Sequence, residues 1–197
     1  MEAIYTGEYL STIPEGQFVL YVDGRTGFEG GEIAWLEKFF KQNYNRYDLI
    51  AWQLTHIEAA YTKSDLLDYF KVLDNSSFTR SPQFAAGLHV WKNCLFSKSL
   101  VNEWYEIFLT QFDLVTDLKS EIPNSIDFID HRHDQSIFSL LVKHQLKSGR
   151  IYVIYDNDVY SSHLVPQANG HPFLKGGLKT VVLKIVKKVL NNKLYRR

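Results

Sequence analysis

Asp130-His131-Arg132-His133-Asp134-Gln135-Ser136 runs straight into Ile137-Phe138-Ser139-Leu140-Leu141-Val142. After seven polar residues, Ile137, Leu140, Leu141 and His144 recur at i, i+3, i+4 and i+7, the spacing of one helix face. The polar cluster is therefore predicted at a helix N-terminus, where unpaired N–H groups and the helix dipole favour an anion. Two readings stand side by side. Either Asp130 or Asp134 caps the helix beside solvated His and Arg residues, or the cluster receives a phosphate or carboxylate.

Upstream, Gln17-Phe18-Val19-Leu20-Tyr21-Val22-Asp23 predicts a buried strand that stops at a Gly-rich turn, Asp23-Gly24-Arg25-Thr26-Gly27. Residues 48–54, 84–91 and 151–155 read as three further strands. Helical spacing marks residues 33–43. It also marks a segment carrying Leu66, Leu67, Phe70 and Leu73 behind a capping box from Thr62 to Asp65. A third helix carries Leu100, Val101, Trp104, Ile107 and Phe108 behind Ser97 as cap. Strands alternating with helices predict an α/β fold. In such sheets ligands gather at the carboxyl ends of strands, where Asp23 stands. Gly87 interrupts the third strand, as happens where a ligand or another backbone comes close.

A chain of 197 residues suits one domain with a sizeable core. Aromatic residues make up 15% of it, which excludes a disordered or fibrous chain and fits a ring-lined cleft. The lone Cys94 excludes an internal disulfide framework and reads as core in a reducing compartment. No apolar run reaches the length of a bilayer span, and the first ten residues carry acids without a basic n-region. A soluble, cytoplasmic protein is expected.

The net charge of zero conceals an asymmetry. From Lys175 onward there are eight basic residues and no acid, so the remainder holds 14 basic against 22 acidic residues, a net of −8. Within residues 178–195, Leu178, Val182, Ile185, Val186, Val189 and Leu190 form one helical face, with Lys184, Lys187 and Lys188 largely on the other. This basic amphipathic stretch reads equally as a contact for an anionic membrane surface or as a helix docked on the acidic body. The acidic body and the lack of a reading motif exclude nucleic acid as a partner.

Four blocks carry a resemblance: Tyr21-Val22-Asp23-Gly24, Tyr61-Thr62-Lys63-Ser64-Asp65-Leu66, Gln83-Phe84-Ala85-Ala86-Gly87 with Trp104 downstream, and His131-Arg132-His133-Asp134-Gln135-Ser136. Over residues 17–145 the chain resembles glycosyltransferase-like proteins of the nucleotide-diphospho-sugar transferase (GT-A) superfamily, of the capsule and lipopolysaccharide type. The resemblance implies a Rossmann-like, mixed but mainly parallel sheet flanked by helices over residues 1–174, followed by the basic helix of residues 175–197. It also implies transfer of a sugar from a nucleotide-sugar donor to a hydroxyl of a carbohydrate or lipid-linked acceptor, in cell-surface polysaccharide assembly at the inner membrane face.

Residue by residue, the resemblance gives Asp23 and His171 to a divalent Mn²⁺ or Mg²⁺ and the diphosphate, and Arg25 and Lys175 to phosphate. It gives Gln83, Ala86 and Gly87 to the donor, and Asp134, Gln135 and His133 to the reacting sugar or acceptor. Two departures accompany it. The usual Asp-x-Asp is Asp23-Gly24-Arg25, with a guanidinium in place of one carboxylate, and only about twenty residues precede Asp23, too few for the family's first nucleotide-binding β-α-β segment.

Other candidates are weaker. Asp156-Asn157-Asp158 is a literal Asp-x-Asp but reads as a turn, and His163 and residues 169–176 read as a loop ahead of the basic helix. His131 and His133 beside Asp130 suggest a zinc-dependent hydrolase only with a third ligand. A non-catalytic or split module binding carbohydrate or a partner chain is the rival to the transferase.

Overall fold

The computed structural model describes residues 2–23, 35–36, 38–39 and 42–155. A four-stranded sheet lies between helices. Helix α1 (Glu2–Thr12) leads into β1 (Phe18–Val22). Strand β2 (Leu49–Ile57) is followed by three short helices, α2 (Glu58–Tyr61), α3 (Ser64–Tyr69) and α4 (Ser76–Thr79). Then come β3 (Pro82–Lys92), α5 (Leu95–Thr110), α6 (His133–Gln145) and β4 (Ile151–Tyr155). The four predicted strands are all present, and residues 35, 36, 38, 39, 42 and 43 are helical within the predicted 33–43.

The sheet order is β1-β3-β2-β4. Strands β1 and β2 each pair antiparallel with β3, and β4 pairs parallel with β2. Three strands therefore run one way, yet the reversed β3 sits between two of them. The sheet is mixed, and only one of its three pairings is parallel rather than the expected majority.

Side chains alternate across the strands, so both faces are buried. Val19, Leu49, Ala51, Phe84, Ala86 and Trp91 pack with Leu10 of α1, Leu100, Val101 and Trp104 of α5, and Ile137, Phe138 and Leu141 of α6. Phe18, Leu20, Val22, Ile50, Trp52 and Val90 pack with Leu36 and Phe39 on the other face. Ala86 lies on the first face, Leu88 on the second and His89 stacks over Tyr21 of β1, so alternation breaks around Gly87. The pairing breaks there too: β2 advances from Gln53 back to Ala51 while β3 advances from Phe84 to His89. This bulge bends β3 at the end of the sheet where β1 stops.

Three predicted caps are corrected. Arg132 occupies the N-cap of α6 without a side-chain bond, and Asp130 Oδ1 instead accepts the His131 N–H at 2.9 Å. Lys63, not Thr62, precedes α3, because the Thr62 hydroxyl turns inward to Glu58. Helix α5 starts at Leu95, and Ser97 donates to the Asp48 carbonyl. Helix α1 was not foreseen; its buried Ala3, Thr6 and Leu10 give only a thin stripe. Among the described residues no helix is long and apolar enough to cross a membrane.

Candidate functional site

The carboxyl ends of β1, β2 and β4 share one end of the sheet with the start of β3. Asp23 follows β1, and its N–H donates to the Gly87 carbonyl at 2.7 Å. A Cβ at Gly87 would stand 3.2 Å from the Asp23 Cβ, so glycine is what lets the Asp23 side chain lie against the bulge. The predicted close approach at Gly87 is thus that of a carboxylate-bearing side chain. Gln135, in the first turn of α6, donates through Nε2 to Gln83 Oε1 at 2.9 Å. Asp134 precedes it, and the Trp104 indole N–H donates to the Asp134 carbonyl at 3.2 Å. Asp23 lies against Gly87, and Gln135 reaches Gln83 four residues earlier in β3, so both contacts are made at this end of the sheet. Asp134 and Gln135 are half-buried, whereas Gln83 is fully buried.

Gln83 belongs to a polar network centred on Glu58, which has no exposed surface. Glu58 Oε1 accepts the Thr62 hydroxyl at 2.6 Å and the Gln83 amide at 2.9 Å. Glu58 Oε2 accepts the Ser139 hydroxyl at 2.5 Å and pairs with Lys143 Nζ at 2.7 Å. Lys143 also donates to the carbonyls of Phe78 at 3.1 Å and Ser81 at 3.2 Å. Ser139 accepts the Phe84 N–H, and the Ser136 hydroxyl donates to the Tyr61 carbonyl. Every charge and donor at the centre is met, as a buried network requires. Burial pulls the Lys143 pKa down, and the charge and hydrogen bond of Glu58 oppose it. The network ties α2, β3 and α6 together and fixes where α6 begins. Sequence reasoning missed Glu58, Ser139 and Lys143. Their signal was present: Ser136, Ser139 and Lys143 form a polar i, i+3, i+7 stripe through and beside the apolar run of residues 137–142.

His131 and His133 are held by the segment that follows α5. His131 Nδ1 accepts the Lys63 N–H at 3.4 Å, which leaves Nε2 to donate to the Leu114 carbonyl at 2.9 Å. His133 Nδ1 bonds the Val115 carbonyl at 2.7 Å, and its Nε2 lies 3.4 Å from Asp117 Oδ1. Both imidazoles are spoken for by backbone, and the described residues gather no group of three His, Cys, Asp or Glu able to hold a metal ion. The zinc-hydrolase reading loses its ligands. His133 carries a positive φ of 49°, an uncommon conformation for a residue with a Cβ, which clusters at ligand-binding turns.

Behind the site stands a column of rings. Tyr21 stacks on His89 with centroids 4.8 Å apart, and His89 meets Trp104 edge-on at 5.9 Å. His89 Nδ1 accepts the Trp91 indole N–H at 2.7 Å, so the proton sits on the buried Nε2. Burial, with the charge of Asp23 and the Tyr5 phenol alongside, pushes Tyr21 up to about 12, so it stays neutral.

Two histidines make the fold acid-sensitive. Burial lowers His89 to about 3 and His131, with the charges of Lys63 and His133 adding to the effect, to about 4. Below the unfolded value of about 6.5 the unfolded chain binds protons that the native chain refuses. Stability therefore falls as pH drops from 6.5 toward 4, with a slope approaching about 2.7 kcal/mol per pH unit for the two together. Urea midpoints measured between pH 7 and 4.5 should show this fall. His131→Asn should roughly halve the slope, whatever its effect at pH 7; an unchanged slope would assign the proton uptake elsewhere.

No family model, curated protein or solved structure matches this chain. Its reading therefore rests on its own residues. Arg25, His163, His171, Lys175, Asp156-Asn157-Asp158 and residues 178–195 lie outside the described residues. Among those described, the metal set reduces to Asp23, one carboxylate, which does not by itself fit a divalent ion. A groove of about 390 Å³ between α1 and α5, lined by Ile4, Gly7, Lys98, Val101 and Tyr105, contains none of the candidate residues.

Proposed function

We propose that the chain is a GT-A-like glycosyltransferase domain that moves a sugar from a nucleotide-sugar donor to an acceptor hydroxyl in cell-surface polysaccharide assembly. What supports this reading is the packing of Asp23 against Gly87 at the end of the sheet where Gln135, next to Asp134, bonds Gln83 at the start of β3. A transferase of this kind needs a polar group at the leaving diphosphate and a carboxylate or imidazole within reach of the acceptor hydroxyl. Asp23 serves the donor side and Asp134 the acceptor side. Gln135 orients the start of α6 through Gln83, and Arg25 and Lys175 supply positive charge for phosphate. Because the described residues do not complete a metal site, no step is assigned to a metal.

A second reading, a non-catalytic or split module that binds carbohydrate or a partner chain, is favoured by that single carboxylate. Calorimetric titration with UDP- and GDP-sugars, with and without Mn²⁺, separates the two. A transferase should bind one donor with a micromolar dissociation constant and lose at least about tenfold on Asp23→Asn, an interaction worth about 1.4 kcal/mol. Heat with a free oligosaccharide and none with any donor would leave the module.

A further inference from the structure

Residues 109–130 carry exposed apolar side chains set among exposed acids. From the end of α5 this segment passes through a 3-10 turn (Phe112–Val115) and runs along α2 and α3 before α6. It is fastened to them. Lys63 Nζ reaches the Asp113 and Thr116 carbonyls, the Ser64 N–H meets Asn124 Oδ1 at 2.8 Å, and Asp65 accepts the Glu121 and Ile122 N–H groups, each at 2.9 Å. The Ile129 N–H donates to the Ala60 carbonyl at 2.8 Å. Despite this anchoring, Leu109, Phe112, Leu118, Ile126 and Ile129 are exposed, Ile126 completely and Ile129 by 67%. Around them stand Asp113, Asp117, Glu121, Asp127 and Asp130 of the segment and Glu103 and Glu106 of α5, all exposed, against exposed Lys119 and Arg132 and the Lys63 ammonium held on the Asp113 and Thr116 carbonyls. Exposed apolar side chains set in acids mark a docking surface for a partner that is apolar on one side and basic on the other.

The same chain holds such a partner. Residues 178–195 place Val182, Ile185, Val186, Val189 and Leu190 at helical spacing beside Lys184, Lys187 and Lys188, with no acid. We infer that this C-terminal segment docks on the acidic strap of residues 109–130. The charges complement one another: five acids and one lysine in residues 109–130 against eight bases and no acid from Lys175 onward. The reach is sufficient. The 22 residues from 156 to 177 can extend about 70 Å, and a domain of this size is only about 40 Å across. The groove between α1 and α5 is the poorer seat, because its charged residues, Glu8 and Lys98, cancel. The strap holds the rings of His131 and His133 through the Leu114 and Val115 carbonyls, so a segment seated on it sits next to the start of α6. Docking is independent of whether that site transfers sugar.

The test uses the full chain. Zero-length carbodiimide cross-linking of the monomer should join Lys184, Lys187 or Lys188 to Asp113, Asp117, Glu121, Asp127 or Asp130, with the links fading at high salt. In K184E/K187E/K188E, amides 117–130 should exchange about tenfold faster while those of β2 and β3 keep their protection. Ile126→Ser with Ile129→Ser, at exposed positions that leave the core intact, should abolish the links. Links to carboxylates elsewhere, or strap exchange unchanged in the triple variant, would overturn the inference. So would links formed only between isotopically distinct copies, or capture of the segment by phosphatidylserine vesicles with strap exchange unaltered.

Discussion

Lys143→Met should destabilise the domain by about 3–5 kcal/mol, because it leaves the Glu58 carboxylate buried without its counter-charge. Lys143 is almost wholly buried, and its ammonium meets Glu58 Oε2 and two carbonyls. Methionine fills most of the same space, so the loss reads the charge rather than a cavity. Against a total stability of about 5–15 kcal/mol this is a large share, and the melting temperature should drop by about 10 °C. The double variant Glu58→Gln with Lys143→Met decides the mechanism. An amide can still accept from Thr62 and Gln83 and can donate to Ser139, so the double variant should be more stable than Lys143→Met alone. Additive losses in urea denaturation would mean that the two charges are not coupled.

That network also shows where sequence reading stops. The strands were legible because each is a compact β-branched and aromatic run; residues 151–155 were delimited without error. The reversal of β3 was not. Phe84 to Trp91 reads as a strand in either direction, and only its pairings with β1 and β2, set by long-range contacts, orient it. Caps failed for a related reason. Thr62 and Ser97 have the side chains that cap helices, but Glu58 and the Asp48 carbonyl, buried at 0 and 7% exposure, compete for their hydroxyls. A buried acceptor wins, because leaving it unmet costs more than an exposed helix end open to water. Glu58 and Lys143, 85 residues apart, could be joined only by the fold. That Asp23 ends β1 and that Asp134 and Gln135 open α6 was legible because strand ends and helix starts are local features; the contacts Asp23–Gly87 and Gln135–Gln83 were not.

On the proposed transferase reading, Asp134→Ala should lower sugar transfer about 10²–10⁴-fold while the fold and donor binding persist. Trp104 donates to the Asp134 backbone carbonyl, which alanine keeps, so this tie to the ring column of Trp104, His89 and Tyr21 is retained. The side chain is half-buried at the first turn of α6, so its removal leaves no sealed cavity. Loss of a group that takes the acceptor proton lowers the rate about 10²–10⁴-fold. Gln135→Ala is the instructive contrast. Its amide donates to Gln83 within the Glu58 network, so that variant should lose stability as well as rate. The measurement is release of nucleoside diphosphate from whichever donor binds in calorimetry, with acceptor present, alongside the donor affinity of each variant. A lost rate with unchanged affinity in Asp134→Ala would locate the carboxylate at the acceptor. Full activity would remove Asp134 from the reaction, and lost affinity would move it to the donor side with Asp23.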